Sequence, residues 1–302
     1  MSSELSQWCA TRLGAPVEGV LFEGGHLSRV IGFRLVDGRG VVVKDRPWSD
    51  RLVACWHAQQ TAHKHGLPCP RPLIAVERVE NRARSIEEYL PGGEQLGRHQ
   101  DAASLFSGLL AELIDLTPHA SYLDALNPPP PWVGWDHSGA RLWPDRDDRG
   151  GDLNATKGPD WLDEAGRRVR QLLADLRLPS VLGHGDWESQ NIRWRGRTPY
   201  AVHDWDSAIA QPEPTVVGAA SAVWPASGEP GEAATVEQSA AFIESYQAWT
   251  GQHWTREMHQ AAWASGLWVR AFNAKKDAAD GGGLQLELLA NEVKVRRAQA
   301  GL

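Results

Sequence analysis

Over the first 90 residues apolar and polar positions mostly alternate, and beyond them apolar positions recur at helical spacing. Residues 3 to 13 read as a short amphipathic helix stopped at Gly14. Three β-rich runs follow, Val17 to Glu23, Arg29 to Val36 and Gly40 to Asp45. Asp37-Gly38-Arg39-Gly40 joins the last two as a hairpin signal. Ser49 or Asp50 can cap a helix reaching about His65, with Gly66 past its end and Pro68 and Pro70 forbidding continuation. Two more strands are predicted at Pro72 to Val79 and Arg84 to Leu90, before Pro91-Gly92-Gly93 breaks the pattern.

Leu105, Phe106, Leu109, Leu110, Leu113 and Leu116 then mark the core face of a helix from about His99 to Leu116. Residues 118–160, rich in Pro, Trp, Asp and Gly, read as a long insertion of the kind that is functional or disordered. A helix from Trp161 to Leu176, a β segment at Val181 to Asp206 and helices over 234–250, 254–274 and 284–299 complete the pattern. The chain therefore divides near Pro91 into a β-rich lobe, 1–90, and a larger helical lobe, 91–302, an α+β architecture.

Composition narrows the class. The 302 residues carry 31 Lys+Arg against 38 Asp+Glu, a net charge of −7, and 42% are hydrophobic. These are the proportions of a soluble globular chain, and an acidic balance argues against nucleic acid as a partner. Cys9, Cys55 and Cys69 are odd in number and form no C-x-x-C pair, which fits a reduced cytoplasmic protein. The N-terminus lacks the pattern of a signal peptide, and the most apolar later run, Val216 to Val223, is too short to span a membrane. The unusual feature is 15 Trp.

The chemistry concentrates in Val181-Leu-Gly-His-Gly-Asp-Trp-Glu-Ser-Gln-Asn191 and in Val202-His-Asp-Trp-Asp206. Asp186 and Asn191 share one loop, and Asp204 follows at the end of a second short strand. Such a set suits phosphoryl transfer: one carboxylate takes the proton of an attacking hydroxyl, while an amide and a second carboxylate hold Mg²⁺ through oxygen. The same residues could instead form an Asx-rich turn between core strands. They could also be a metallohydrolase centre, with His184, Asp186, His203 and Asp204 as ligands. That last reading leaves Gly24, Gly25 and Lys44 unexplained. No GxxxxGK[ST], GxGxxG, GxSxG or HExxH motif is present.

In these motifs the sequence resembles the aminoglycoside phosphotransferase and choline kinase family, small-molecule relatives of protein kinases. Its HGDxxxxN pattern is matched by His184, Gly185, Asp186 and Asn191, and its following Asp by Asp204. The resemblance implies a two-lobed protein-kinase-like fold. It implies Asp186 as catalytic base, His184 as a brace for the loop, and Asn191 and Asp204 as Mg²⁺ ligands. Glu23 to Val30, with Gly24, Gly25 and Ser28, stands where the family covers the phosphates of ATP, or of GTP. Lys44, closing Val41-Val42-Val43-Lys44, matches V-x-x-K and would meet the α- and β-phosphates. Glu88 and Tyr89 fall at the hinge, where backbone groups would face adenine.

One departure stands out. The family's glutamate partner for the lysine would fall near Cys55, and Val53 to His65 contains no acid. Asp50 lies more than a turn early and Gln59 a turn late, so an inactive kinase fold stays open beside the active one.

Family acceptors include aminoglycosides and other antibiotics, amino sugars, choline and small alcohols. Asp136, Asp145, Asp147, Asp148 and Asp152 in the insertion, with Glu188 in the catalytic loop, would attract an amine. Trp132, Trp135, Trp143, Trp161 and Trp187 flank them, and aromatic faces suit sugar rings and ammonium groups. The expected acceptor is therefore a cationic small molecule such as an amino sugar or aminoglycoside-like antibiotic, with Trp135, Asp136, Trp187, Glu188 and Asp206 as candidate contacts. For any single tryptophan, however, core packing is the favoured reading, as for Trp263 and Trp268 on one helix.

Overall fold

The fold was obtained as a computed structural model, and it describes all residues except 1, 26–27, 97–100, 117–122, 147, 149–150 and 230. Helix α1 (Ser2–Leu13) leads into strands β1 (Val17–Gly24), β2 (Arg29–Leu35) and β3 (Gly40–Pro47). Helix α2 (Arg51–Lys64) and strands β4 (Pro72–Val79) and β5 (Arg82–Glu88) follow. The strands form one antiparallel sheet in the order β1-β2-β3-β5-β4.

Side-chain alternation gives this sheet two different faces. Val41, Val43, Ile31, Phe33 and Ile86 join Leu5 and Cys9 of α1 in a small core. The even positions of β3, Val42, Lys44 and Arg46, turn to the opposite face. Helix α2 does not join that small core. Its Ala54, Cys55, Ala58 and Ala62 belong to the larger core of the helical lobe, so α2 ties the sheet to the rest of the molecule.

The larger lobe begins with α3 (Ala102–Leu116), and α4 (Asp160–Ala174) leads to β6 (Ser180–His184). Strands β7 (Ile192–Arg195) and β8 (Thr198–Val202) form a hairpin, while β9 (Ala208–Pro212) returns to pair with β6. Helices α5 (Glu213–Val223), α6 (Val236–Thr250), α7 (Arg256–Ala279) and α8 (Leu284–Ala300) finish the chain. No helix among the described residues is long and apolar enough to cross a membrane.

Two elements depart from the pattern read in the sequence. Strand β9 and helix α5 occupy residues 208–223, where no element was predicted. Helix α5 is buried from Pro214 through Val223, so it has no polar face and hence no amphipathic signature. Its β-branched Val216 and Val217 and its Gly218 also lower local helix propensity. Gly218 is required by packing: a Cβ there would lie 1.9 Å from the Ala262 carbonyl oxygen of α7. This close crossing brings Val223 of α5 and Val269 of α7 to the wall of one cleft.

The insertion is only partly irregular. It contains two short 3-10 turns, Leu123–Leu126 and Pro131–Val133, and buries Trp135 and Trp143 in the larger core. The predicted start of α3 at His99 and the candidate acid Asp147 lie outside the described residues.

Candidate active site

The catalytic loop hangs between β6 and β7. His184, 2% exposed, donates from Nε2 to the His203 carbonyl oxygen at 3.0 Å and accepts the Asp186 N–H at Nδ1 at 3.3 Å. Burial lowers its pKa, and the nearby Asp204 opposes this only in part. A neutral imidazole with both nitrogens committed to backbone fixes the loop, as expected of a brace. It also leaves no lone pair for a metal, which removes the ligand set of the metallohydrolase reading. Among the described residues no three His, Cys, Asp or Glu side chains converge as a metal site.

Asn191 donates from Nδ2 to the Asp186 carboxylate at 2.7 Å and to its carbonyl oxygen at 3.0 Å. That orientation aims the amide donors at Asp186 and leaves Oδ1 as the free oxygen of the side chain. Asp204 occupies the left-handed region at φ 58°, a conformation Asp tolerates, and accepts from Ser207 Oγ at 3.2 Å. An amide oxygen and a carboxylate are hard oxygen donors of the type Mg²⁺ takes when substrate phosphates and water supply its other ligands. The donor set therefore fits such an ion.

Lys44 resolves the departure seen in the sequence. Its Nζ lies 3.2 Å from Oε2 of Glu87 on β5, and both side chains are only 10% exposed. Val42 is the register partner of Glu87 and Ser85 that of Lys44, so the acid reaches the lysine diagonally across the sheet face. Gln59 of α2, at the late position noted above, donates to Glu87 Oε2 at 2.9 Å and to the Pro70 carbonyl at 2.9 Å. The partner thus comes from β5 and is steadied by the helix. Burial acts to lower the Lys44 pKa, but Glu87, Asp206 and Asp204 together outweigh it and hold the ammonium above its ordinary value.

A second cation was not foreseen. Arg46 Nε lies 2.8 Å from Asp206 Oδ2, and Nη1 donates to Ser85 Oγ at 3.0 Å. Arg51 of α2 donates to the Asp206 carbonyl at 2.5 Å, to the Leu126 carbonyl at 3.1 Å and to the Ala208 carbonyl. Sequence spacing does signal Arg46, two residues after Lys44 and hence on the same strand face.

Gly25, Ser28, Arg46, Asp186, Glu188, Asn191, Asp204 and Asp206 converge on one cleft of about 910 Å³. Gly25 is dictated by geometry: at φ 104° a Cβ would meet the Ser28 carbonyl oxygen at 2.0 Å. Lys44 lies in a small recess that Arg46 and Asp206 also line. Burial and the neighbouring Asp186 push the Glu188 carboxyl well above the usual carboxylate range. Gln190 donates to it at 2.5 Å.

Several candidates are not brought there. Gly24 ends β1, and Glu88 and Tyr89 do not line the cleft. Their N–H groups donate to the Arg71 and Gly40 carbonyls, while the Tyr89 ring lies tilted against Phe22, 5.6 Å between centroids. Trp187 and Trp135, 0% and 3% exposed, are core residues, which corrects their assignment as acceptor contacts. Trp187 instead donates to the Phe106 carbonyl at 3.1 Å, tying the loop to α3. Asp136 is exposed, holds Gln211 Nε2 at 3.1 Å and lies off the cleft. Trp132, by contrast, lines the cleft and donates to the Gly185 carbonyl at 2.8 Å.

Three acids of the insertion are ion-paired. Asp145 and Asp152 pair with Arg141, and Asp148 pairs with Arg146 at 2.6 Å and Lys276 at 2.7 Å.

A small antiparallel sheet packed on a helical lobe, with an Asp–Asn loop facing a further Asp across the cleft, defines a protein-kinase-like architecture. The sequence model of the phosphotransferase enzyme family matches residues 18–259, and the chain belongs to that family. A search of curated proteins matched none of them. Among solved structures, an amicoumacin kinase in complex with AMP-PNP, Ca²⁺ and "Ami" is similar with a TM-score of 0.67 at 12% identity, over 100% of this chain and 96% of that one. A thermostable mutant of the aminoglycoside phosphotransferase APH(4)-Ia, in a ternary complex with ADP and hygromycin B, gives 0.54 at 14% identity over 99% and 98%. A choline/ethanolamine kinase family protein from Mesorhizobium loti gives 0.55 at 16% over 99% and 91%.

Proposed function

We propose that the protein transfers the γ-phosphate of Mg·ATP to a hydroxyl of a small molecule, with Asp186 as the base. The observation that carries this reading is the Asp186–Asn191 pair, 2.7 Å apart, in a cleft that also holds Asp204, Arg46 and the Gly25 loop. The acceptor O–H gives its proton to the Asp186 carboxylate as the new O–P bond forms. The bond from Pγ to the bridging oxygen breaks, and ADP leaves with that electron pair. Asn191 steers the carboxylate, and His184 holds the loop that carries both. Arg46 and the Gly25 loop meet the phosphates, with Lys44 behind them. Asn191 Oδ1 and Asp204 would hold Mg²⁺, which when bound neutralises charge on the phosphate oxygens.

An inactive kinase fold drew its support from the missing helix acid, and the Glu87 pairing of Lys44 takes that support away. The hygromycin B bound in one of the similar structures favours a hydroxylated antibiotic or sugar as acceptor. Three buried, unpaired thiols accord with a reducing cytoplasm. The test is a coupled ADP-release screen over amino sugars, aminoglycosides, other hydroxylated antibiotics and choline-like alcohols, with ATP and GTP in parallel. Acceptor-dependent ADP release that Asp186→Ala abolishes is the expected result. Nucleotide binding without release on any acceptor would return the inactive reading.

A further inference from the structure

The cleft has two unlike ends. Beside the phosphate-facing groups, its lining also includes Pro131, Trp132, Val223, Val269 and Phe272, with Asn273 and Lys276 continuing the same stripe of α7. Val223, Val269 and Phe272 are each under 5% exposed and present hydrocarbon to the cavity. The carboxylates in the cleft are Asp186, Asp204 and Asp206, committed to the base, metal and Arg46 roles, and Glu188, which Gln190 already holds. Of the insertion's acids, Asp145, Asp148 and Asp152 are paired with Arg141, Arg146 and Lys276, and Asp136 lies off the cleft. A polycationic sugar would therefore bring hydrated ammonium groups against an apolar wall and one lysine, with its desolvation uncompensated.

Resting on the phosphotransferase reading, we propose that the acceptor is an amphiphilic alcohol with an apolar or aromatic body, not a polycationic aminoglycoside. Its apolar part packs between Trp132 and the Val269–Phe272 face of α7. Asn273 reads a polar group on that body: its half-buried side-chain amide bonds to no described residue, and it offers both a donor and an acceptor. Lys276, held by Asp148, favours an oxygen there over an amine. Burying one aromatic ring against such a wall increases affinity by about tenfold or more.

The experiment uses the full chain with Mg·AMP-PNP and three probes, glucosamine, N-benzoylglucosamine and kanamycin, each titrated by tryptophan fluorescence. The benzoyl derivative keeps the hydroxyls of glucosamine, removes its cation and adds a ring. Expected is saturation by N-benzoylglucosamine at a concentration at least about tenfold below the other two. Asn273→Ala, at a half-buried position, should weaken that probe several-fold with Tm and AMP-PNP affinity unchanged. Val269→Asp should shift preference toward kanamycin. Equal or tighter binding of glucosamine or kanamycin by the wild-type chain would overturn the proposal. Failure to bind AMP-PNP would instead strike the kinase reading itself.

Discussion

The two ends of the cleft are built on opposite principles. At the catalytic end nearly every side chain is polar and held by a named partner: His184 by backbone, Asp186 by Asn191, Lys44 by Glu87, Arg46 by Asp206. His184, Lys44, Glu87 and Arg46 are buried, and a buried charge is tolerated only when paired. At the acceptor end the wall is hydrocarbon from three separate segments, with one amide left over. On the proposed function, the chemistry of transfer belongs to the charged network and discrimination among acceptors to the apolar lining.

Breaking the catalytic end should have the largest consequence. Asp186→Ala is expected to lower kcat by about 10²–10⁴-fold while thermal-shift titration still detects Mg·AMP-PNP. Undiminished turnover would remove Asp186 from the base role. Glu87→Ala should cost about 3 kcal/mol in urea unfolding, since it strands the Lys44 ammonium in a buried recess. A change below about 0.5 kcal/mol would show that the pair is not formed in solution.

Acid sensitivity should also belong to this end. Burial depresses the His203 pKa to about 4, so below its ordinary value near 6.5 the unfolded chain binds more protons than the folded one. Stability should therefore fall as pH drops from about 6.5 to 4, by up to about 3 kcal/mol, and His203→Gln should flatten that slope. Trp132→Phe, which deletes the bond to the Gly185 carbonyl where the two ends meet, should cost about 1 kcal/mol. Smallest is Arg141→Gln in the self-paired insertion, with kcat/KM for any acceptor within about twofold of wild type. A marked change in acceptor preference there would restore the insertion acids as recognition groups.

The sheet, the α2 to α4 pattern and the three C-terminal helices were legible because each carries a one-sided apolar period or a turn signal in its own residues. The HGDxxxxN loop and Asp204 were legible for a related reason: their spacing is local, within 21 residues from His184 to Asp204. Helix α5 was not, because complete burial erases the polar face that a period needs. Glu87 was passed over in favour of a helix position, since nothing in linear order says that it lies diagonally across from Lys44. The tryptophans misled in a particular way. Trp135 and Trp187 stand beside acids in sequence, yet both fill the core, while Trp132, three residues earlier, faces the cleft.

By itself the sequence determined the family and the order of the lobes and supplied the motif residues proposed for phosphoryl transfer, because those depend on short motifs and local hydrophobic period. Only the tertiary structure decided how Lys44 is paired, which aromatic reaches the cleft, and that Asp145, Asp148 and Asp152 of the insertion are ion-paired. Those outcomes are set by contacts between residues tens of positions apart, whose partners are chosen by burial and charge compensation rather than by spacing along the chain.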